Sequence, residues 1–396
     1  MIEIKGKYGS AIVFTEDLED TAYAQLKEIV DSETQIAWDA NIRVMPDVHA
    51  GLGCVIGTTM LIDDKVVPNF VGVDIGCGMK LQKLDISLKD IDLEKLDGMI
   101  RRQIPSGFAV RNSPHPNADQ SRIEELKCKN HVNLSRAYNS IGTLGGGNHF
   151  IELNIDEDEN LYLVIHSGSR HLGTQIAEYY QNEAFKRISE RQSGQTRSLG
   201  KMKKKDFKRA QRKLAEGRTP KHLAYCEGEL MADYLQDMQI GQEYAFLNRQ
   251  TMAEILQKEL GWCILEEFQT IHNYIDLDKM ILRKGAVSAQ AGEMLLIPMN
   301  MQFGSLICRG KGNAFWNYSA PHGAGRIMSR RQAKQQLNLQ DFKASMQGIY
   351  SSSVNLDTLD EAPMVYKAPE EIMQRITDTV EILKIIRPVY NFKAKE

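Results

Sequence analysis

The sequence predicts an α+β fold: a single large domain, 1–396, with central β-sheets flanked by helices and a basic helical insertion at about 172–260. Three observations lead there. Strand-length runs, most carrying β-branched residues, fill the first third and return after Cys263, whereas the stretch between is mostly helical in period. Hydrophobic residues make up 42% of the 396 positions and charged residues 26%, ample for a packed core and unlike a disordered chain. No repeat of roughly 20–50 residues and no Pro/Ser-rich linker divides the chain.

Taken in order, Ala11–Phe14, Ile42–Met45, Val55–Leu61 and Val66–Val73 read as strands. Thr21–Ser32 reads as a helix, because Ala24, Leu26, Ile29 and Val30 recur at helical spacing behind Asp20 or Thr21 as cap. Ser87–Ile104 and Ile123–Ile141 are further helices by the same period. His149–Asn154 and Leu161–Ile165 flank the acidic turn Asp156–Asn160 and predict a hairpin. Leu172–Leu260 is helical, with a polar, basic and weakly periodic centre at Gly194–Pro220. Strand signals follow at Cys263–Ile275, Met280–Val287 and Met294–Ile297. A last helix spans Pro369–Ile386, closed by Arg387-Pro388.

Composition excludes several classes. No run approaches roughly 18 apolar residues, so no transmembrane helix is expected. The N-terminus, MIEIKGKYGSAIVF, lacks the features of a secretory signal, and the expected compartment is the cytosol. A net charge of −3 excludes a uniformly basic coat for nucleic acid. One segment, Lys201–Lys221, holds ten Lys and Arg against Asp206 and Glu216, a local excess of +8 that suits phosphate attraction or a solvated helix. Cys54, Cys77, Cys128, Cys226, Cys263 and Cys308 show no CxxC spacing, which argues against a zinc ribbon or a disulfide framework. Each reads as a small buried hydrophobe unless its neighbours say otherwise.

Histidine is scarce, nine in all, yet four lie in short Gly-flanked or polar turns: His149, His166, His272 and His322. Val73-Asp74-Ile-Gly-Cys77-Gly78 adds a carboxylate and a thiol three residues apart on a flexible turn. Such a donor set suits Zn²⁺, Mn²⁺ or Fe²⁺, with carboxylate favouring harder ions and thiolate softer ones. An isolated histidine is more often a hydrogen-bonded structural residue; four in similar loops favour a shared site. The runs Gly142–Gly147, Gly310–Gly312 and Gly323–Gly325 can present backbone N–H groups to phosphate, although none is a Walker A or Rossmann motif. Arg326 and Arg330 follow His322 at +4 and +8, which on a helix is nearly one face. Guanidinium groups there would bind phosphate oxygens bidentately.

The order of Met45-Pro-Asp-Val-His-Ala-Gly51, Val71-Gly-Val-Asp-Ile-Gly-Cys-Gly-Met79, Gly142-Thr-Leu-Gly-Gly-Gly-Asn-His-Phe-Ile-Glu152, His166-Ser-Gly-Ser-Arg170, His272-Asn-Tyr274, Arg283-Lys-Gly-Ala-Val-Ser-Ala289 and His322-Gly-Ala-Gly-Arg-Ile-Met-Ser-Arg330 is specific. It closely resembles the RtcB family of RNA-splicing ligases, from about Met45 to Lys393. The resemblance implies an enzyme that joins an RNA 3′-phosphate or 2′,3′-cyclic phosphate to a 5′-hydroxyl, using GTP and two Mn²⁺ ions. It implies that His322 is guanylylated and oriented by Asp47; Arg326 and Arg330, by their spacing, are expected to act beside it. The implied metal ligands are Asp74 and His149 on one ion, His166 and His272 on the other, and Cys77 bridging both.

The implied nucleotide positions are Asn148, His149, Phe150, Ile151, Glu152, His272, Asn273, Ser305, His322, Gly323, Ala324, Gly325 and Lys393. Pro298, Met299, Asn300 and Met301 belong with them by position, though this stretch replaces the Gly-Ser-Met-Gly turn of many relatives. The basic segment Lys201–Lys221 is not part of the shared core. Two other readings stand beside it: an enzyme that keeps the site but caps DNA or RNA 3′-phosphates, and a non-catalytic RNA-binding relative, in which a degenerate site would be expected although every proposed ligand and the nucleophile are present.

Overall fold

Two large sheets meet along a seam, and the chain passes between them twice at positions that carry the chemistry. The computed structural model describes residues 1–34, 36–198 and 218–394. Positions 201–217 of the basic segment lie outside the described residues, as does the centre of the expected insertion.

The first sheet has six strands in the order Ile2–Lys5, Ser10–Val13, Ile42–His49, Ile56–Leu61, Ile281–Lys284, Asn273–Asp276. Its neighbours are antiparallel except for Ser10–Val13 beside Ile42–His49, which run parallel with helix Asp20–Asp31 between them in sequence. That helix buries Ala22, Leu26, Ile29 and Val30, the apolar stripe of its 3.6 period. Each large aliphatic side chain so buried contributes roughly 1.5–3 kcal/mol.

The second sheet has seven antiparallel strands in the order Ile264–Ile271, Gly78–Leu84, Leu161–Ser167, Phe150–Ile155, Val380–Lys393, Gly304–Gly310, Met294–Asn300. The period of two divides its faces. Ile151 and Leu153 enter one core with Leu163, Ile165 and Phe392, while Phe150 enters another with Met79 and Val164. The predicted hairpin is therefore present, as Phe150–Ile155 and Leu161–Ser167. Strands Ile264–Ile271 and Asn273–Asp276 stand at the edges of different sheets, so His272 is the single residue at the crossing.

Helices Arg170–Ser198 and Gly228–Leu260 pack against the first sheet's core through residues such as Ile176, Tyr180, Tyr234 and Met238. The second of them also reaches the other core through Met252 and Leu256.

Several expected elements differ. Val66–Val73 is not a strand: Lys65–Val66 pairs briefly, then Pro68 opens a helical turn, Pro68–Val71, that Gly72 ends at φ 97°. Proline fixes the φ of a first helical turn and lacks the N–H a strand needs. Ser87–Ile104 begins with a 3₁₀ turn, and its helix, Leu93–Gln103, starts where Asp92 accepts from the N–H groups of Glu94 and Lys95. Ile123–Ile141 breaks into two 3₁₀ turns and the helix Leu134–Ser140, because Asp237 takes the Lys127 and Cys128 N–H groups at 2.8 and 2.9 Å. Cys263–Ile275 is two strands rather than one.

Pro369–Ile386 is helical only over Pro369–Arg375; Val380–Lys393 is a long strand between Gly304–Gly310 and Phe150–Ile155. Its run of isoleucines satisfies a strand buried between neighbours as well as a helix, and Pro388 sits where the register shifts. The cysteines are all free, but Cys263 is exposed rather than buried.

Candidate functional site

A cleft of about 870 Å³ opens over the seam. Asp74 and Cys77 reach it from the turn before strand Gly78–Leu84, where the Cys77 N–H bonds to the Asp74 carbonyl at 3.2 Å and Gly76 adopts φ 68°. A Cβ at Gly168 would lie 2.1 Å from Asp74 Oδ1, so the backbone there must be glycine for the carboxylate to fit. His149 precedes strand Phe150–Ile155, and His166 lies near the end of its partner, Leu161–Ser167. His272 arrives from the crossing between sheets.

These five side chains converge. His149 Nε2 lies 3.0 Å from Asp74 Oδ2 and 3.5 Å from Cys77 Sγ. His166 Nε2 lies 3.3 Å from the same sulfur and 3.4 Å from His272 Nε2. Carbonyl oxygens only accept, so Leu144 O at 2.9 Å requires the proton on His149 Nδ1, and Asn148 O at 3.2 Å requires it on His166 Nδ1. Arg170 Nη1 is 3.2 Å from His149 Nδ1, the longer contact, and cannot donate to a nitrogen already carrying its proton.

The His149 Nε2 lone pair then faces the Asp74 carboxylate, and two acceptors in a buried space repel unless a cation lies between them; with the Cys77 sulfur and two further imidazoles alongside, the donor set fits a metal ion. Cys77, His149 and His166 alone can supply three ligand atoms within 4.8 Å of one another.

Charge agrees with that reading. Burial, then neighbouring charges including His322, hold His272 well below the usual imidazole range, and burial and His149 do the same to His166. Both rings are neutral at pH 7, the form in which an imidazole can hold a cation. Burial would raise Asp74, but positive charge beside it, a proton on His149 Nε2 or a cation in its place, together with Arg170 brings it down to about 2. Burial and Asp74 push the Cys77 thiol well up, so in the absence of a cation it keeps its proton.

His322 stands beside this cluster, its ring centre 4.9 Å from that of His272. Its Nδ1 is 2.7 Å from Oδ2 of Asp47, a fully buried carboxylate that also accepts the His322 backbone N–H at 3.2 Å. Pro46 interrupts strand pairing between Val44 and His49, which turns Asp47 toward the site, and Lys367 bonds to the freed Pro46 carbonyl at 2.9 Å. Gly325, at φ 77°, is needed for close approach: a Cβ would lie 2.3 Å from the Asp47 carbonyl. The imidazole is thus held by Nδ1, leaving Nε2 for chemistry.

A family model described as tRNA-splicing ligase RtcB matches residues 29–394. The chain belongs to the RtcB family of RNA-splicing ligases. The RNA-splicing ligase RtcB of Escherichia coli (strain K12) is 32% identical over 387 residues, covering 88% of this chain and 89% of that protein. The tRNA-splicing ligases RtcB of Nanoarchaeum equitans and Aeropyrum pernix are 25% and 27% identical, over 87% and 84% of this chain and 86% and 83% of theirs. RtcB membership implies an RNA ligase, an RNA substrate and metal dependence.

The RtcB cleft collects most of the expected nucleotide positions. Asn148, Phe150, Glu152, His272, Asn273, Pro298–Met301, His322–Gly325 and Lys393 line it, so the departing loop at Met299 and Asn300 is part of the wall. Three do not line it. Ile151 faces the opposite core, as the period of two demands; Ser305 is fully buried with an unpartnered Oγ; His149 lies beneath the wall.

The Gly runs divide similarly. Gly323–Gly325 lines the cleft, but Gly142 and Thr143 give their N–H groups to Asn248, and Gly310–Gly312 packs on Ala289 and Gln290. Nor do His322, Arg326 and Arg330 share a helix face, because the glycines between them keep the segment irregular and the helix starts only at Arg330. Arg326 donates from all three guanidinium nitrogens to Met328, Asp360 and Glu361, and Arg330 pairs with Asp360 and Glu361.

Asn248 and Arg249 were not apparent as site residues from sequence. They are polar side chains on the long helix Gly228–Leu260, and their signal is a polar pair on a helix otherwise buried there. Arg249 is fully buried and donates to the Gly76 and Ser167 carbonyls at 2.8 Å each, tying the Asp74–Cys77 turn to the His166 strand. Arg249→Met should therefore cost roughly 2–4 kcal/mol in denaturant unfolding and weaken metal binding as well. Parent-like stability and metal content would show that the turn holds without it.

Proposed function

We propose that this chain joins RNA 3′-phosphate or 2′,3′-cyclic phosphate ends to 5′-hydroxyl ends, using GTP and Mn²⁺, in tRNA splicing or RNA repair in the cytosol. The observation that carries the reading is the His322–Asp47 pair standing beside the cluster of Asp74, Cys77, His149, His166 and His272, with His322, Asp74, Cys77, His166 and His272 all facing one cleft. Those five side chains would hold Mn²⁺, with Cys77 shared between two ions. When bound, such cations supply Lewis-acid neutralisation of phosphate charge.

His322 acts as nucleophile. Asp47 holds its Nδ1 proton, and the Nε2 lone pair attacks the α-phosphorus of GTP; an N–P bond forms and the bond to pyrophosphate breaks. The positive ring that results is stabilised by the buried Asp47 carboxylate. An RNA 3′-phosphate oxygen then takes the GMP, the N–P bond breaks, and His322 is restored. The 5′-hydroxyl attacks the activated 3′-phosphorus and GMP leaves. A 2′,3′-cyclic end must first be opened by water to the 3′-phosphate. No helix among the described residues is long and apolar enough to cross a membrane.

Incubation with α-labelled GTP and Mn²⁺ tests the reading: acid-labile, alkali-stable label should appear on the protein, and RNA with matched ends should be joined. Absence of label across a full Mn²⁺ titration would sink it; capped RNA or DNA without joining would favour the capping enzyme.

Guanine choice falls to Glu152 and Lys393 in this proposal. A carboxylate accepts from guanine N1–H and the 2-amino group, and adenine presents neither pair. Burial pushes the Glu152 carboxyl up to about 7, against the Asn391 hydrogen bond and the Lys393 charge. Ionisation above that pH strengthens its accepting bonds, so the preference for GTP over ATP should grow from pH 6 to pH 8. Glu152→Ala should raise the GTP concentration for half-maximal labelling about tenfold or more, flatten that pH dependence and leave metal content intact. Equal labelling by variant and parent at sub-saturating GTP removes the assignment.

A further inference from the structure

Asp360 and Glu361 end the 3₁₀ turn Leu356–Glu361, and both are 2% exposed. Neither belongs to a motif that the sequence singled out. Glu361 uses both oxygens. Its Oε2 accepts from Lys393 Nζ and from the Tyr366 hydroxyl, each at 2.7 Å. Its Oε1 takes Arg330 at 3.1 Å and Arg326 at 3.2 Å. Asp360 adds Arg330 at 2.7 Å and Lys334 at 3.4 Å.

Two carboxylates therefore face four cations, of which Arg326, Arg330 and Lys393 line the cleft, and this positive wall suits an anionic ligand. Burial alone would raise the Glu361 carboxyl, but Lys393 and Arg330 hold it below the usual range, so it is ionised at neutral pH.

The four partners are not equivalent. Arg326 spends its guanidinium on Met328, Asp360 and Glu361 and lies over the Tyr366 ring at 5.4 Å, which makes it a strut. Lys393 and Arg330 line the cleft at separate places. Lys393 Nζ lies 5.5 Å from the Phe150 ring centre, and its charge acts on Glu152. Arg330 Nη2 would lie 3.6 Å from a Cβ at Gly147, next to Asn148. Lysine and arginine side chains can adopt many rotamers, and the buried Glu361, holding Lys393 and sharing Arg330 with Asp360, removes that freedom before a ligand arrives.

We propose that Glu361 is a positioning residue for the nucleoside triphosphate, setting Lys393 at the base-reading end of the cleft while Arg330, which it shares with Asp360, is held on the same wall. The proposal rests on the GTP reading above. Loss of Glu361 then disturbs guanine selection although Glu361 itself reads no base.

Self-labelling with α-labelled GTP and ATP, on the full metal-loaded chain, tests it. Glu361→Gln keeps the shape but replaces one acceptor with a donor and removes the charge. Its GTP concentration for half-maximal labelling should rise about tenfold, its maximal rate should fall less, and its GTP-over-ATP preference should drop by about the same tenfold. The Glu361→Gln/Lys393→Met double variant should be little worse than Lys393→Met alone. Unchanged half-saturation and preference overturn the proposal, and so does an equal loss with both nucleotides, which marks a purely structural role. Tyr366→Phe removes one donor to Glu361 and keeps every charge. A two- to fivefold shift in the same direction is expected there, and no shift overturns the proposal even where Glu361→Gln does not fold. If the parent takes no label from GTP, the nucleotide reading fails and this proposal falls with it; a labelled parent with an indifferent Glu361→Gln removes this proposal alone.

Discussion

His322→Ala will take no label from GTP, whatever the nucleotide or Mn²⁺ concentration. Alanine offers no atom to bond the α-phosphorus, and no other imidazole in the cleft is equivalent. His166 and His272 are buried in the donor cluster and His49 is held through Nδ1 by a backbone carbonyl, whereas His322 lies outside the cluster and is oriented through Nδ1 by the Asp47 carboxylate at 2.7 Å. The substitution leaves that buried carboxylate with the weaker backbone contact at 3.2 Å, so a stability loss of roughly 1–3 kcal/mol should accompany it, short of unfolding. His322→Gln can restore a donor to Asp47 without a nucleophile, so it should recover stability and still take no label. Undiminished labelling in either variant would overturn the assignment of His322.

Cys77→Ala should lower metal affinity at both ends of the cluster at once. The sulfur lies between His149 at 3.5 Å and His166 at 3.3 Å, the only one of the five donors placed against both. A thiolate shared by two cations is stabilised by each, so its loss is felt twice. Burial and Asp74 push the free thiol's pKa well up, so loading a cation must expel the thiol proton. Affinity should therefore rise with pH, and Cys77→Ala should lose part of that slope. Equilibrium titration with metal analysis reads both effects. Two ions bound at parental affinity in the alanine variant would contradict a bridging role.

Legibility in the sequence followed residue type. Histidines, a cysteine and an aspartate in glycine-rich turns stand out because few other environments call for them together, and they do converge. Asn248, Arg249, Asp360 and Glu361 did not stand out, since a polar pair on a helix or an acidic pair in a turn is usually solvated. Their role depends on what packs above them, which no local pattern records. The supposed helix face of His322, Arg326 and Arg330 failed for a local reason: Gly323 and Gly325 admit backbone that helical spacing ignores, and Gly325 must approach Asp47.

The mixed α+β class and the Phe150–Ser167 hairpin were legible in the sequence because they rest on periodicity, and the Asp, Cys and His residues that converge were legible because their side-chain chemistry is uncommon in glycine-rich turns. Only the tertiary structure decided that Val380–Lys393 is a strand, since an isoleucine-rich segment suits either state until neighbouring strands supply hydrogen bonds to its backbone. It alone also decided the placement of His272 between two sheets, the aim of Asp47 past the Pro46 interruption, and the capture of Lys393 and Arg330 by Glu361. Each of these joins residues far apart in sequence, and such a contact exists only after the sheets have closed the seam and excluded water from it.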